Sequence, residues 1–240
     1  MGLDSLSNIE LYFSPNINNG QIKIDGEEAH HIIDVMRHKI GNQIFVTNGK
    51  GNIFEAVIEN IKQREITCRI VEVNQFDNPF SNIIICLPLL KSPYRFEFAL
   101  EKAVELGITN FLVFRSSRSI MKNFKVSRWQ KILLSAMKQS LHTWLPNIAV
   151  LENLSKLNEF EGIKIFFEQN TNQTIRDFIE CVEKSKSDKL YLIFGPEGGL
   201  NSSEIDMIEN KRKIKLSNNR LRTETAIIYV SAILNNLLES

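Results

Sequence analysis

The sequence has no excess of charge of either sign, which limits what charge alone can say about its partners. Its 240 residues contain 29 lysines and arginines against 28 aspartates and glutamates, so the formal net charge is +1. A nearly neutral chain that binds nucleic acid must gather its positive charges into local patches. Overall charge therefore neither indicates nor excludes RNA as a partner.

Cysteine and long apolar runs are also scarce. The three cysteines, Cys68, Cys86 and Cys181, are far apart and lie in or beside apolar segments. This predicts buried thiols in a reducing compartment, without a disulfide framework or a metal site. The apolar runs are shorter than the ~20 residues of a membrane-spanning helix, and the first residues lack the basic and apolar regions of a secretory signal. We therefore expect a soluble cytoplasmic protein.

The chain changes character near residue 75. Short β-rich runs separated by turn signals come first, with one helical stretch from Glu27 to about Arg37, which is typical of a small β-barrel. Buried apolar runs then alternate with amphipathic ones, which predicts a parallel α/β sheet. We predict domains at residues 1–74 and 83–240, joined by a linker at 75–82. The strands expected in the second domain are Ile83–Leu90, Phe111–Phe114, Ile163–Phe167, Leu190–Phe194 and Ile214–Leu216, and the helices are Tyr94–Leu106, Ser127–Leu141, Thr174–Lys184, Ser202–Asn210 and Thr223–Leu238.

A glycine-rich turn follows the apolar run that ends at Phe194. It reads Gly195-Pro196-Glu197-Gly198-Gly199, and the capping-box spacing of Asn201 and Glu204 then predicts the start of a helix. Ligands of open α/β sheets bind at the carboxyl ends of the strands, and glycines let the backbone approach them closely. The turn lacks the Gly-Lys-Ser/Thr of a P-loop and the Gly-x-Gly-x-x-Gly of a dinucleotide site. A ligand-binding turn and a purely structural connection both stay open.

A polar loop precedes the last predicted helix. It contains Arg220, Leu221 and Arg222, and Thr223 is a suitable N-cap for the helix that follows. A solvated loop explains the polar residues of this segment. It does not explain the apolar Leu221 between two arginines.

Positive charge gathers in short segments of both predicted domains. These segments are candidates to contact an RNA backbone, although solvated surface loops have a similar composition. The histidines near residue 30 have no acidic or cysteine partner at metal-ligand spacing, so we expect no metal. The candidate RNA-binding residues are His31, Arg37, Lys39, Lys91, Arg95, Arg115 and Arg118.

Five segments, in this order, resemble the bacterial 16S ribosomal RNA (uracil-N3)-methyltransferase family of the SPOUT class. The resemblance covers nearly the whole chain, and the agreement of five motifs in register makes it specific. The segments are Asp34-Val35-Met36-Arg37, Lys102-Ala103-Val104-Glu105-Leu106-Gly107, Trp129-Gln130-Lys131-Ile132, Gly195-Pro196-Glu197-Gly198-Gly199 and Leu221-Arg222-Thr223-Glu224-Thr225.

This resemblance implies a fold, a cofactor and partners. The expected fold is a PUA-like RNA-binding β-barrel followed by an α/β domain whose C-terminal chain forms a trefoil knot. The expected cofactor is S-adenosylmethionine, bound in the knot, and the expected assembly is a homodimer acting on 16S ribosomal RNA of the small subunit. The cofactor-binding residues that it implies are Phe167, Glu168, Gly195, Pro196, Glu197, Gly198, Gly199, Leu216, Ser217, Leu221, Arg222 and Thr223.

The implied chemistry also places demands on the site. N3 of uracil lies on the Watson–Crick edge, so the base must be unpaired or flipped out, and its N3 proton must be lost before methyl transfer. No His, Asp or Glu stands out as the proton acceptor, and we expect Arg222 to stabilise the uracil anion. The chain departs from the family pattern at Ser217, where Gly is usual, at Asn218-Asn219, where Pro-Arg is common, and at His142, where Arg is common.

Three other functions stay open at this point. A SPOUT methyltransferase could act on another rRNA or tRNA nucleotide or on a ribose hydroxyl. A non-catalytic RNA-binding assembly factor could keep the fold, and the loss of glycine at Ser217 is the only feature that points to it. A Rossmann-type enzyme of small molecules would bind a nicotinamide or a flavin and no RNA. Binding of S-adenosylhomocysteine separates the methyltransferases from the other two.

Overall fold

The computed structural model of the chain describes residues 9–119, 123–185 and 188–238, so the residues examined for a secretory signal lie outside the described part. The chain divides into two compact units. The first contains the residues up to Asn78 and the segment Leu134–Leu145, and the second contains Pro79–Leu133 and the residues from Pro146 onward. The segment Leu134–Leu145, which the sequence assigned to the second domain, is tied to the rest of the first unit by several hydrogen bonds and an ion pair. The Trp144 indole donates to the Phe76 carbonyl at 3.0 Å, and Lys138 pairs with Glu28 at 2.7 Å.

The first unit is built on one six-stranded sheet with the order β1-β4-β5-β6-β3-β2. Only the β1–β4 pair is parallel among the strand pairs described. A short helix continues as a π-helical turn and places Ala29 and Ile32 in the same core as the sheet, so the single helix expected from the sequence has two parts. The elements are β1 Leu11–Phe13, β2 Ile17–Asn18, β3 Gln21–Ile24, α1 Gly26–His30, the π-turn His31–Val35, β4 Gln43–Thr47, β5 Asn52–Lys62 and β6 Glu65–Gln75.

The second unit is built on six parallel strands with the order β12-β10-β11-β7-β8-β9. The central strands β7 and β11 are buried at every residue, as strands covered on both faces must be. The predicted parallel α/β sheet is confirmed. The strands are β7 Ile83–Pro88, β8 Asn110–Phe114, β9 Asn147–Leu151, β10 Ile163–Phe167, β11 Leu190–Ile193 and β12 Lys211–Ile214; the helices are α2 Pro93–Glu105, α3 Val126–Gln139, whose later part belongs to the first unit, α4 Ile175–Lys184, α5 Ser202–Asp206 and α6 Thr223–Leu238.

The sequence misjudged both edge strands of this sheet. It missed β9, and it placed the last strand at Ile214–Leu216, whereas β12 is Lys211–Ile214. Only Ile214 of β12 and two residues of β9 are buried. Because an edge strand carries few apolar side chains, hydrophobic runs do not locate it. The helix expected to reach Asn210 also ends early, at Asp206.

The three cysteines are free and buried, as predicted. Burial raises the pKa of the Cys68 thiol to about 12 and that of Cys86 further still, which leaves both thiols protonated and unreactive. In the described ranges, no three His, Cys, Asp or Glu side chains group as metal ligands. None of the helices described there is long and apolar enough to cross a membrane.

Helix α2 has a well-defined beginning and end. The Ser92 hydroxyl accepts from the Arg95 amide at 3.5 Å, and Pro93 stands at the first helical position. At the other end, Gly107 has a φ of +91°. Its amide donates to Val104, and the Ile108 amide donates to Ala103. This pattern is a Schellman motif, and it confirms the predicted C-cap.

We predict that Gly107→Ala destabilises the second unit by about 2–4 kcal/mol. A Cβ at Gly107 would lie 2.3 Å from the Phe80 ring, in addition to the cost of the positive φ. Urea denaturation measures the loss in the free energy of unfolding. Gly20→Ala is the matched control, since Gly20 has a φ of +77° and nothing within 4 Å of the added Cβ. Equal losses in the two variants would show that the Phe80 contact contributes nothing.

Candidate functional site

Three chain segments leave the same edge of the parallel sheet. β12, β10 and β11 are neighbours in the sheet and run in the same direction. The segments that follow them therefore begin side by side at the carboxyl edge, which is where ligands of open α/β sheets bind. They are residues 167–170 after β10, residues 194–200 after β11 and residues 215–223 after β12.

These segments enclose a cavity of about 570 Å³, which is within the roughly 300–1,000 Å³ of small-molecule sites. Most of the predicted cofactor residues line it, whereas Gly198 and Ser217 do not. The lining residues are Arg95, Phe167, Glu168, Gln169, Phe194, Gly195, Pro196, Glu197, Gly199, Leu200, Leu216, Arg220, Leu221, Arg222, Thr223 and Ala226.

The turn after β11 folds back on itself at Gly199. The Gly199 amide donates to the Pro196 carbonyl at 2.8 Å, and Gly199 has a φ of +70°. This fold-back brings the Gly199 Cα to 3.4 Å from where a Cβ on Gly195 would stand. That separation is an ordinary van der Waals contact and Gly195 has no positive φ, so Gly199, with its positive φ, is the position of this turn that favours glycine.

The loop after β12 is tied to this turn by two hydrogen bonds. The Thr223 hydroxyl donates to the Gly195 carbonyl at 2.7 Å, and the Arg220 guanidinium donates to the Glu197 carbonyl at 2.9 Å. The sequence predicted Thr223 as an N-cap. That prediction is wrong, because Thr223 is already the first residue of α6 and its hydroxyl crosses to the neighbouring turn.

The third segment and the unusual loop residues complete the enclosure. The Gln169 side chain donates to the Asn219 carbonyl at 3.1 Å, which joins the segment after β10 to the loop after β12. Ser217 stands where glycine was expected, and its hydroxyl accepts from the Asn219 amide at 3.1 Å. Ser217 is not among the described non-glycine residues with positive φ. The loop therefore needs no glycine at this position.

One carboxylate on the cavity wall is in an unusual environment. Glu168 is half-buried, and its amide donates to the Ile214 carbonyl at 2.9 Å. Burial raises the pKa of the Glu168 carboxyl, and the positive charge of Lys213 opposes that shift in part. A cation brought into the cavity would therefore stabilise the ionised form of the Glu168 carboxyl.

Two arginines on the cavity wall differ in their partners. Arg95 pairs with Glu224 at 3.5 Å, and Glu224 is only 12% exposed, so this pair fixes the start of α2 beside the start of α6. Arg222 is exposed, and no carboxylate of the described residues pairs with it. Its guanidinium is thus available to a ligand or substrate.

The candidate RNA-binding residues of the first unit lie at its surface. His31 contacts Glu10 through its Nε2 at 2.8 Å. Arg37 is exposed and has a φ of +59°, and Lys39 is exposed as well. All three lie in or just after the π-turn His31–Val35 that follows α1.

The candidates of the second unit separate into different roles. Lys91 is exposed, and Arg115 lies over the Phe124 ring at 5.5 Å. Arg118 donates to the Gly198 carbonyl of the glycine-rich turn. Of the residues assigned to RNA, only Arg95 lines the cavity.

Several lining residues were not among the individual residues assigned to the cofactor. Gln169 and Arg220 lie inside the segments 166–170 and 216–223, which the family resemblance implies as walls of the pocket, and Phe194 and Leu200 flank the glycine-rich turn. Ala226 lies three residues after Thr223 on α6, where helical periodicity brings it to the same face. The helical periodicity of α6 could therefore have identified Ala226 from the sequence.

Comparison with known proteins adds two matches to this geometry. A family model described as an RNA methyltransferase domain matches residues 77–235, and one described as an RNA methyltransferase PUA domain matches residues 24–71. The chain belongs to this RNA methyltransferase family. The first unit therefore carries the family's PUA domain, and the cavity lies within the span of its methyltransferase domain.

Individual members of the RNA methyltransferase family are similar along most of the chain. The ribosomal RNA small subunit methyltransferase E of Bacillus subtilis is 28% identical over 88% of each chain. The protein of that name from Mesomycoplasma hyopneumoniae is 31% identical over 72% of this chain and 77% of its own. A crystal structure of the Neisseria gonorrhoeae protein of that name, bound to S-adenosyl methionine, has a TM-score of 0.84 at 24% identity and covers 96% of this chain and 98% of its own. This likeness supports the predicted fold class.

We predict that Glu168→Gln stabilises the protein more at pH 8 than at pH 4. The folded pKa of Glu168 is raised above its unfolded value, so the neutral acid is favoured in the folded state. Stability is then lost as the pH rises through the folded pKa, because the half-buried carboxyl must ionise. Urea denaturation at the two pH values measures the difference between variant and native protein. A difference that is the same at both values would contradict the prediction.

Proposed function

We propose that the protein is an S-adenosylmethionine-dependent methyltransferase that methylates N3 of a uridine in 16S ribosomal RNA of the small subunit. The observation that carries this proposal is the cavity at the carboxyl edge of β10, β11 and β12. It is lined by most of the residues that the family resemblance assigns to the cofactor, all except Gly198 and Ser217. The names of the Bacillus and Mesomycoplasma relatives support the ribosomal RNA substrate, and the bound cofactor of the Neisseria structure supports S-adenosylmethionine.

The residues of the cavity fit that cofactor. Leu200, Leu216, Leu221 and Ala226 supply apolar surface for a flat adenine ring. The half-buried Glu168 supplies carboxyl oxygens that suit hydroxyl donors, and a cationic sulfonium beside it would favour its ionised form. S-adenosylmethionine, when bound, supplies an electrophilic methyl group. The chain itself has to hold the uracil, help remove its N3 proton and exclude water.

A trefoil knot is part of this proposal. The loop after β12 is fastened to the turn after β11 by Thr223 and Arg220, and to the segment after β10 by Gln169. These bonds support a C-terminal chain held between the other two segments before it continues as α6. Such a topology is one of the rare exceptions to unknotted folds.

Arg222 is the residue that we assign to the chemistry. Loss of the N3 proton leaves negative charge on the uracil ring, and a guanidinium aimed at that charge lowers the barrier. Arg222 lines the cavity and is exposed, whereas the neighbouring Arg95 is engaged by Glu224. Arg222 can therefore turn to the extruded base, while Arg95 keeps its position at the rim.

We predict that Arg222→Ala lowers kcat by about 10²–10³-fold, while S-adenosylhomocysteine binding changes only a few-fold. Arg222→Lys should recover part of the rate, because it keeps the charge without the planar guanidinium. Single-turnover methylation and calorimetric titration measure the two effects. Arg212→Ala is the matched control, since Arg212 is exposed on β12 and does not line the cavity. If Arg222→Ala weakened S-adenosylhomocysteine binding by the same factor as it lowered kcat, the catalytic role assigned to Arg222 would be contradicted.

The proposed reaction is tested on small ribosomal subunits that lack the methyl group. After incubation with the protein and S-adenosylmethionine, reverse transcription should show one new cofactor-dependent stop at a uridine, because N3-methylation blocks base pairing. Methyl incorporation without a stop would place the reaction at another atom. An absence of incorporation would favour a non-catalytic RNA-binding protein.

We also propose partners for the remaining surfaces. His31, Arg37 and Lys39 of the PUA domain, together with Lys91 and Arg115, would contact RNA phosphates. A homodimer formed through α6 is supported by the apolar side chains that the chain leaves half-buried on that helix, Ile228, Ile233 and Leu237, and by the 41% exposed Tyr229. Sedimentation equilibrium should then give twice the mass of the chain. The expected location in the cytoplasm follows from the ribosomal substrate.

A further inference from the structure

The described part of the loop just after β8, residues 115–119, lies against the glycine-rich turn. From this loop, Arg118 donates through Nη1 to the Gly198 carbonyl. A Cβ on Gly198 would stand 3.4 Å from the Arg118 Cδ, and one on Gly199 would stand 3.9 Å from its Nη1, both ordinary van der Waals distances. The guanidinium and its stem thus lie over Gly198 and Gly199.

The residue before Arg118 is fixed to the chain just beyond that turn. The Ser117 amide and hydroxyl donate to the two carboxylate oxygens of Glu204 at 2.7 and 2.9 Å. The Asn201 side chain donates to the Ser117 hydroxyl at 2.5 Å, and the Asn201 amide donates to Glu204 at 2.9 Å. This last bond is the carboxylate arm of the capping box expected from the sequence, and Glu204 extends it to the neighbouring loop.

A second arginine, Arg220, donates a hydrogen bond to the preceding carbonyl of the same turn. Arg220 donates to the Glu197 carbonyl at 2.9 Å from the loop after β12. Two cationic side chains from two different loops therefore hold consecutive carbonyls of one turn. Charge-assisted hydrogen bonds of this kind are stronger than those between neutral groups.

We propose that Arg118 is a positioning residue that holds the glycine-rich turn in its cofactor-binding conformation. Glycines give the unbound turn more conformational freedom than other residues would, and a ligand that needs one conformation must overcome that freedom. A turn that Arg118 and Arg220 already hold in that conformation loses less conformational entropy when the cofactor binds. This inference rests on the proposed function, since it takes the cavity to be the cofactor site. It replaces the RNA contact that the sequence suggested for Arg118.

The test compares cofactor binding with turnover in Arg118→Ala and Arg118→Gln. We expect Arg118→Ala to bind S-adenosylhomocysteine about tenfold more weakly in calorimetry without RNA. At saturating S-adenosylmethionine its kcat should stay within about twofold of the native value, because Arg118 touches no reacting atom in this account. Arg118→Gln keeps a donor and should bind with intermediate affinity. Arg212→Ala, which does not line the cavity, should bind as the native protein does.

Two further readouts separate positioning from a loss of fold. Amide hydrogen exchange of the ligand-free protein should speed up at Gly199 in Arg118→Ala, while the buried strand β7 keeps its protection. Ser117→Ala should weaken cofactor binding in the native background and have little further effect once Arg118 is alanine. Additive effects of the two changes would contradict positioning through the loop.

The outcomes distinguish this inference from the proposed function. Unchanged binding of S-adenosylhomocysteine by Arg118→Ala overturns the positioning role. So does a fall in kcat with unchanged cofactor affinity, which would return Arg118 to an RNA contact. If the native protein binds no S-adenosylhomocysteine, the proposed function itself fails.

Discussion

The parallel pairing of β10 with β11 on one side and β12 on the other is the constraint on which the candidate site depends. It brings three segments that are distant in sequence to one edge of the sheet. The hydrogen bonds of Thr223, Arg220 and Gln169 can join those segments only because the strands end together. Without this order, the glycine-rich turn would be an ordinary βα connection, which was its alternative interpretation.

Backbone carbonyls organise the site as much as side chains do. The carbonyls of residues 195, 197 and 198 each accept from a side chain of another loop. Residues 195 and 198 are glycines and residue 197 is a glutamate, and arginine or threonine supplies the donor. Arg220 and Thr223 also line the cavity, so the residues that hold the turn are themselves part of the wall. Glu168, an acid, and Arg222, a base, are ionisable groups of the cavity wall. In the proposed reaction, Glu168 suits the cationic methyl donor, and Arg222 suits the negative charge on the uracil.

The sequence predicted the central strands, the C-cap at Gly107 and most of the cavity wall, because buried runs and glycine turns are local signals. It could not place β9 or β12, whose few apolar residues resemble those of loops. The role of Thr223 was also out of reach, since its hydroxyl reaches a carbonyl 28 residues earlier in the chain. The same holds for the segment Leu134–Leu145, which continues a predicted helix and belongs to the first unit through long-range contacts.

The central claim is that this cavity binds S-adenosylmethionine, and the most direct test is a crystal structure of the protein grown with S-adenosylhomocysteine. The account predicts density for the ligand within the cavity, with its adenine among Leu216, Leu221 and Ala226 and with backbone groups of the glycine-rich turn in contact. Ligand density at another place, or a cavity that stays empty while calorimetry shows saturable binding, would contradict it.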